Sequence, residues 1–103
     1  MDLSLKGKVA VVTGASRGIG KAIAYGFAAE GSNLAICSRT EPLIKEIARD
    51  LSNRYHTTVH WDVRDLLIPG ATEQFIEGTI KRFGCVDILV NNVGASLGKP
   101  FED

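Results

Sequence analysis

The chain has 103 residues, of which 45% are apolar and 23% charged, a composition typical of one soluble globular domain. Twelve basic and twelve acidic residues cancel, so no net field attracts nucleic acid or an anionic membrane, and we expect neither as a partner; the alternative is a local charged patch. The first eight residues contain no long apolar run, so we expect no signal peptide or membrane-spanning helix and a cytoplasmic location.

The first predicted elements are a strand, a glycine-rich turn and a helix. The segment from Lys8 to Val12 is continuously apolar after its first residue, as expected of a strand buried on both faces. Ile23 and Phe27 recur at helical spacing further on, and Gly31 ends the helix. Between the two elements lies the turn Thr13-Gly14-Ala15-Ser16-Arg17-Gly18-Ile19-Gly20.

This turn has the residue types needed to hold a phosphate. Gly14 permits a backbone conformation that a β-carbon disfavours, while Gly18 and Gly20 remove side chains that would keep a pyrophosphate or a neighbouring strand away. Backbone N–H groups at the start of the following helix, from Gly18 through Ile19, favour an anion. The turn therefore indicates a nucleotide cofactor, and the alternative is a strand-to-helix turn that binds nothing.

Strands and helices continue to alternate along the chain. A second strand is predicted over 32–38, and a helix over 41–53 with Thr40 as its N-cap and Pro42 in its first turn. A third strand is predicted over 56–62, followed by a loop over Arg64–Gly70 in which Leu66, Leu67 and Ile68 are expected to be exposed. A last helix over 71–83 ends at Gly84, and a fourth strand covers 86–90.

This order predicts an α/β fold, with a Rossmann-like parallel sheet of four strands in the order 3-2-1-4 and three crossover helices. Ligands of such sheets bind beyond the carboxyl ends of the strands, near the point where the strand order reverses. The residues at those positions are Gly14 to Gly20, Ser38-Arg39-Thr40, Asp62-Val63 and Asn91-Asn92-Val93-Gly94.

The end of the second strand favours NADP over NAD as the cofactor. An NAD-binding fold usually has an acidic residue there, whereas this chain has Ser38 followed by Arg39. A small hydroxyl leaves room for a 2′-phosphate, and the guanidinium groups of Arg39 and Arg17 can pair with it. The alternative is that Arg39 is a solvated loop residue.

The glycine spacing differs from that of ATP- and GTP-binding loops and from Gly-x-Gly-x-x-Gly. The pattern Thr-Gly-x-x-x-Gly-x-Gly resembles the short-chain dehydrogenase/reductase family, and Asn91 to Gly94 resembles its Asn-Asn-Ala-Gly motif, with Val93 in place of alanine. The resemblance implies that Asp62 accepts a hydrogen bond from the adenine amine, that Val63 lies against the ring, and that Asn91 shapes the ribose site. Without it, Asp62 is equally a turn or capping residue, and the asparagine motif a turn that ends the strand.

The family transfers a hydride between nicotinamide and a carbonyl or alcohol carbon, and the chain looks most similar to carbonyl reductases of the 3-oxoacyl-carrier-protein reductase type. The family's general acid or base is a tyrosine with a lysine four residues on, and a serine orients the substrate. Tyr25 and Tyr55 are not followed by lysine at that spacing. We therefore expect residues 1–103 to be the NADP-binding N-terminal part of such a domain, with no catalytic residue of its own.

The complete enzyme is expected to take a small carbonyl or alcohol substrate and to form a homo-oligomer. The alternative is a non-catalytic module that binds NADP. We expect no metal site, because no third ligand accompanies His56 and His60, which are predicted to share one face of the third strand. Cys37 and Cys85 are predicted to be reduced thiols in or near the core.

Overall fold

The structure is a computed structural model that describes residues 5–92. Four strands form one parallel sheet in the order β3-β2-β1-β4, which confirms the predicted fold class and strand order. Val11 of the central strand pairs with Ala35 on one side and with Leu89 on the other. The elements are β1 (Val9–Thr13), α1 (Gly18–Ala29), β2 (Asn33–Ser38), α2 (Glu41–Tyr55), β3 (Val59–Val63), α3 (Ala71–Phe83) and β4 (Ile88–Val90).

The helices cover both faces of the sheet. On one face, Ala10 and Val12 of β1 belong to a buried cluster that also contains residues of α1 and α2. On the other face, Val11 and Cys37 pack with Phe75 of α3, which is 1% exposed. Alternate residues of β1 therefore contribute to different cores, because successive side chains of a strand point to opposite faces.

Small residues make the contact between α1 and the sheet. The predicted apolar positions Ile23 and Phe27 are only half-buried, whereas Gly20, Ala24 and Ala28 are buried. The helix thus turns its smallest side chains inward, which brings its backbone close to the sheet. Bulky residues on that face would hold the start of α1 away from the glycine turn.

The predicted start of the third strand was wrong. The α2 helix extends to Tyr55, two residues beyond the prediction, and His56 is its C-cap in the left-handed conformation with φ of 56°. The N–H of His56 donates to the carbonyl of Ser52 at 2.9 Å, which completes the last turn. The strand begins only at Val59, so His56 and His60 do not share a strand face.

Glycine in place of His56 is expected to stabilise the chain. A left-handed backbone strains any residue that has a β-carbon, so relief of that strain exceeds the added entropy of the unfolded chain by about 0.5 to 1 kcal/mol. The midpoint of thermal unfolding should rise by about 3 to 6 °C. His56→Ala retains the β-carbon and is the control; an equal rise in this variant would contradict the explanation.

The remaining predictions about single residues have mixed outcomes. Cys37 is buried, but Cys85 is exposed, so the prediction that Cys85 lies in or near the core was wrong. The sequence indicated that Leu66, Leu67 and Ile68 of the loop after β3 are exposed. Leu67 and Ile68 are 60% and 58% exposed, but Leu66 is half-buried and packs against the core cluster that contains Phe75. Among the described residues, no cluster of His, Cys, Asp and Glu could hold a metal ion. Residues 5–92 also contain no helix with the length and apolar character needed to cross a membrane.

Candidate functional site

The glycine turn lies against the end of β2. The N–H groups of Gly14 and Ala15 both donate to the carbonyl of Cys37, at 3.1 and 3.3 Å. Gly14 has φ of +61°, the conformation that the sequence predicted for it. The turn therefore extends the contact between β1 and β2 beyond the sheet and places the residues that follow the two strands side by side.

The α1 helix begins within this turn, at Gly18, and its first two residues are exposed. Arg17 is the N-cap, with extended backbone angles, and no side chain of residues 5–92 caps the helix there. Gly18 has open space where a β-carbon would be, and the Ile19 side chain is 64% exposed. The first turn of an α-helix carries N–H groups with no intrahelical partner, so this end can accept an anion.

Ser16 provides an independent test of whether the turn fits a ligand. The residue is 4% exposed, yet within the described chain its hydroxyl has no hydrogen-bond partner. A buried hydroxyl without a partner costs about 1–3 kcal/mol, and native proteins rarely leave one unpaired. The hydroxyl lies in the same turn as the exposed Arg17 side chain, and a phosphate or ribose oxygen within hydrogen-bond distance of it would supply the partner that it lacks.

The end of β2 is polar but carries no carboxylate in Ser38 or the two residues that follow it. Ser38 is 1% exposed, and its hydroxyl accepts a hydrogen bond from the Thr40 N–H at 3.1 Å and donates to the Thr40 carbonyl at 3.3 Å. Its side chain is thus folded into the loop between β2 and α2. The Arg39 side chain between them is exposed. At the end of β2, the chain therefore has a small neutral side chain, Ser38, and a cation, Arg39. An acidic residue there would repel a phosphate.

A hydrogen-bond network joins the ends of β1 and β4. The Thr13 hydroxyl donates to Asn91 Oδ1 at 3.1 Å and accepts from the Asn92 N–H at 2.8 Å. The side-chain Nδ2 of Asn92 also donates to the carbonyl of Gly14 at 3.5 Å. These contacts place Asn91 and Asn92 against the glycine turn. Gly94 and Val93, which the sequence also selected, lie outside the described residues.

Thr13 and Asn92 belong to the two motifs that the sequence singles out, but the sequence reasoning assigned neither of them a role. Both flank selected residues, and the register of β1 and β4, with Val12 opposite Val90, makes the two strands end side by side. Their mutual bond joins residues far apart in sequence, and it becomes visible only once the strand order is known.

At the end of β3, the carboxylate of Asp62 is held by two donors. One oxygen accepts from the N–H of Val63 at 2.9 Å and the other from Arg64 Nε at 2.5 Å. Asp62 is in the strand rather than in a turn, because β3 continues to Val63, which is 36% exposed. Those of the sequence-selected residues that lie within 5–92 are therefore all found at or just beyond the carboxyl ends of the four strands, on one side of the sheet.

Tyr25 lies between α1 and α2, outside this region. Burial, followed by the hydrogen bond that its hydroxyl donates to Asp50 at 2.5 Å, raises the pKa of Tyr25 to about 12. A tyrosine that acts as a general base needs the opposite shift, toward neutral pH. The contact between Tyr25 and Asp50 instead links the two helices that cover this face of the sheet.

Comparison with known proteins identifies the family. The family model described as short chain dehydrogenase matches residues 8–103. The 11-beta-hydroxysteroid dehydrogenase 1A of Arabidopsis thaliana is 40% identical over 103 residues, which cover 97% of this chain and 29% of that protein. The 3-oxoacyl-(acyl-carrier-protein) reductase FabG of Aquifex aeolicus is 36% identical over 101 residues, covering 98% of this chain and 41% of the relative.

Solved structures agree with the sequence relatives. L-sorbose reductase from Gluconobacter frateurii, whose crystal structure is a complex with NADPH and L-sorbose, superposes with a TM-score of 0.88 at 39% identity. The match covers 98% of this chain and 38% of that one, so the chain spans 29 to 41% of these three proteins. By its sequence and its fold, the chain belongs to the short chain dehydrogenase family.

Proposed function

We propose that residues 1–103 form the NADP-binding N-terminal part of an oxidoreductase domain. The observation that carries this proposal is the buried Ser16 hydroxyl, which has no partner among residues 5–92 and lies in a phosphate-type turn at the start of α1. NADPH in the L-sorbose reductase complex supports the choice of cofactor. When bound, NADP supplies a nicotinamide that gives or takes a hydride at a carbonyl or alcohol carbon of the substrate.

Each group at the carboxyl ends of the strands has a distinct part in this proposal. The N–H groups of Gly18 to Gly20, with the Ser16 hydroxyl, bind phosphate and ribose oxygens. Arg17 and Arg39 pair with the 2′-phosphate, for which Ser38 leaves space. The remaining proposed contacts are Asp62 and Val63 at the adenine, and Asn91 with Gly94 near the ribose and nicotinamide side.

Replacing Arg39 with alanine tests the 2′-phosphate assignment. We expect NADPH to bind about 10- to 100-fold more weakly, the usual effect of losing a charge-assisted bond to phosphate, and NADH binding to change by less than about threefold. The measurement is titration of cofactor fluorescence for both nucleotides. Arg82→Ala, a replacement of an exposed arginine in the last turn of α3, is the matched control. Equal losses of NADPH and NADH would refute the assignment.

A second candidate is a module that binds NADP without catalysis. Neither tyrosine of the 103 residues has a lysine four positions later, and the pKa of Tyr25 is raised, not lowered. Because residues 1–103 are expected to carry no catalytic residue under either proposal, the test uses the polypeptide encoded by the continuous reading frame. Binding of NADPH to that polypeptide without its oxidation by a panel of ketones would support the module. Oxidation by any ketone would support the enzyme, whose substrate we propose to be a small carbonyl or alcohol compound.

A further inference from the structure

Arg64 connects three elements at the proposed cofactor site. The backbone N–H of Arg64 donates to the carbonyl of Ser38 at 2.9 Å, so this residue continues the pairing of β3 with β2 beyond the last residue of β3. Its Nε donates to Asp62 Oδ2 at 2.5 Å, and its Nη1 donates to Gln74 Oε1 of α3 at 2.7 Å. One side chain therefore links the carboxylate proposed for adenine to the first turns of a helix.

These contacts determine how the Asp62 carboxylate is oriented. The Val63 N–H occupies one oxygen and Arg64 Nε the other, so the plane of the carboxylate cannot rotate freely. A carboxylate has about four acceptor positions, two on each oxygen, so each oxygen retains one position for a further donor. The carboxylate is thus both fixed and able to accept another hydrogen bond.

The pair differs from an ordinary surface ion pair. The Asp62 and Arg64 side chains are only 33% and 31% exposed, and the guanidinium is held at its far end by Gln74. An exposed pair of long side chains gains little, because it must lose conformational freedom to form one geometry. Here the backbone bond to Ser38 and the bond to Gln74 already restrict Arg64, so less freedom is lost when it binds Asp62.

We infer that Arg64 is a positioning residue, which holds the carboxylate of Asp62 as the acceptor for the exocyclic amine of adenine. The inference rests on the proposed function. Without the Arg64 side chain, the Asp62 carboxylate can rotate away from the adenine amine, or a water molecule can replace the guanidinium as its partner. Arg64 therefore acts on the recognition of the base through Asp62, and it leaves the phosphate contacts of α1 unchanged.

The test compares NADP with its deaminated analogue, nicotinamide hypoxanthine dinucleotide phosphate, which carries an oxygen in place of the amine. An oxygen opposite a carboxylate is repelled, so the chain should bind NADP about tenfold more tightly than the analogue. In Arg64→Ala this preference should fall to less than about threefold, as it should in Asp62→Ala. Arg64→Lys retains a cation near Asp62 without the paired donors and should give an intermediate preference.

The outcomes separate the inference from the proposed function. If the parent chain binds neither dinucleotide, the proposed function fails. If it binds both equally, or if Arg64→Ala weakens both by the same factor, the inference is overturned while NADP binding stands. Gln74→Ala releases only the outer end of the guanidinium. Should Arg64→Ala not fold, an undiminished preference in both Gln74→Ala and Arg64→Lys would overturn the inference, and a reduced one would support it.

Discussion

Replacing Gly20 with alanine is expected to destabilise the chain by about 3 kcal/mol or more, the upper range for an overpacked site. A β-carbon at Gly20 would lie 2.1 Å from the carbonyl oxygen of Gly14 and 2.7 Å from Asn92 Nδ2. The closer neighbour is backbone, and Gly14 is itself tied to Cys37, so it cannot move aside cheaply. Thermal unfolding should show a midpoint lowered by more than about 10 °C.

Gly26→Ala is the matched control for this prediction. Gly26 lies in the same helix, but a β-carbon there has no neighbour within 4 Å. Alanine favours the helical conformation over glycine, so this variant should gain up to about 1 kcal/mol. Equal stability of Gly20→Ala and Gly26→Ala would contradict the close approach of α1 to the glycine turn.

Gly20→Ala should also weaken NADPH binding at the glycine turn. Relief of the clash requires the start of α1 to move away from Gly14. This movement also displaces the N–H groups of Gly18 and Ile19. Those Gly20→Ala molecules that remain folded should therefore bind NADPH more weakly than the parent chain. Gly26→Ala should bind NADPH as the parent chain does.

The order of elements and of strands could be predicted because each depends on local patterns. The apolar run of β1 and the helical spacing in α2 are properties of neighbouring residues, and the handedness of crossover connections then restricts the sheet. All predicted elements are present. The 3-2-1-4 order follows from the same rules and needs no individual side-chain contact.

Element boundaries were less accurate, and His56 shows why. The segment after Asn53 has no glycine to signal the end of α2, and the histidine takes the left-handed position that glycine commonly has. The β-branched Thr57 and Thr58 suggested that the strand begins earlier than it does. Whether such residues extend a strand depends on pairing with β2, which a single segment does not encode.

The positions of the candidate site residues along the chain could be predicted from the sequence. Most of the contacts between their side chains could not. Positions after strands are known once the strands are known, so Gly14, Ser38, Asp62 and Asn91 could be selected. The bonds from Thr13 to Asn92 and from Arg64 to Gln74 could not, because they join different elements and depend on side-chain rotamers. The unpartnered Ser16 hydroxyl is likewise a property of the folded turn and not of its sequence.

The second large effect is expected from Ser38→Asp, which should reverse the preference for NADPH. The carboxylate would stand at the end of β2, where a 2′-phosphate is proposed to bind. A charge placed a few ångströms from a dianion at the protein surface costs about 3 kcal/mol, roughly a hundredfold in affinity. NADH binding should improve at the same time, because a carboxylate there can accept hydrogen bonds from the ribose hydroxyls.

Ser38→Asn separates charge from size in this prediction. Ser38 is 1% exposed, so either larger side chain disturbs the packing to a similar degree, and both can accept the Thr40 N–H bond that the serine now accepts. Only aspartate adds a negative charge. The ratio of NADPH to NADH dissociation constants should therefore rise about a hundredfold in Ser38→Asp and by less than about fivefold in Ser38→Asn, judged by the same electrostatic energy. Equal changes in the two variants would show that Ser38 matters through space alone, and the charge argument for NADP would then be wrong.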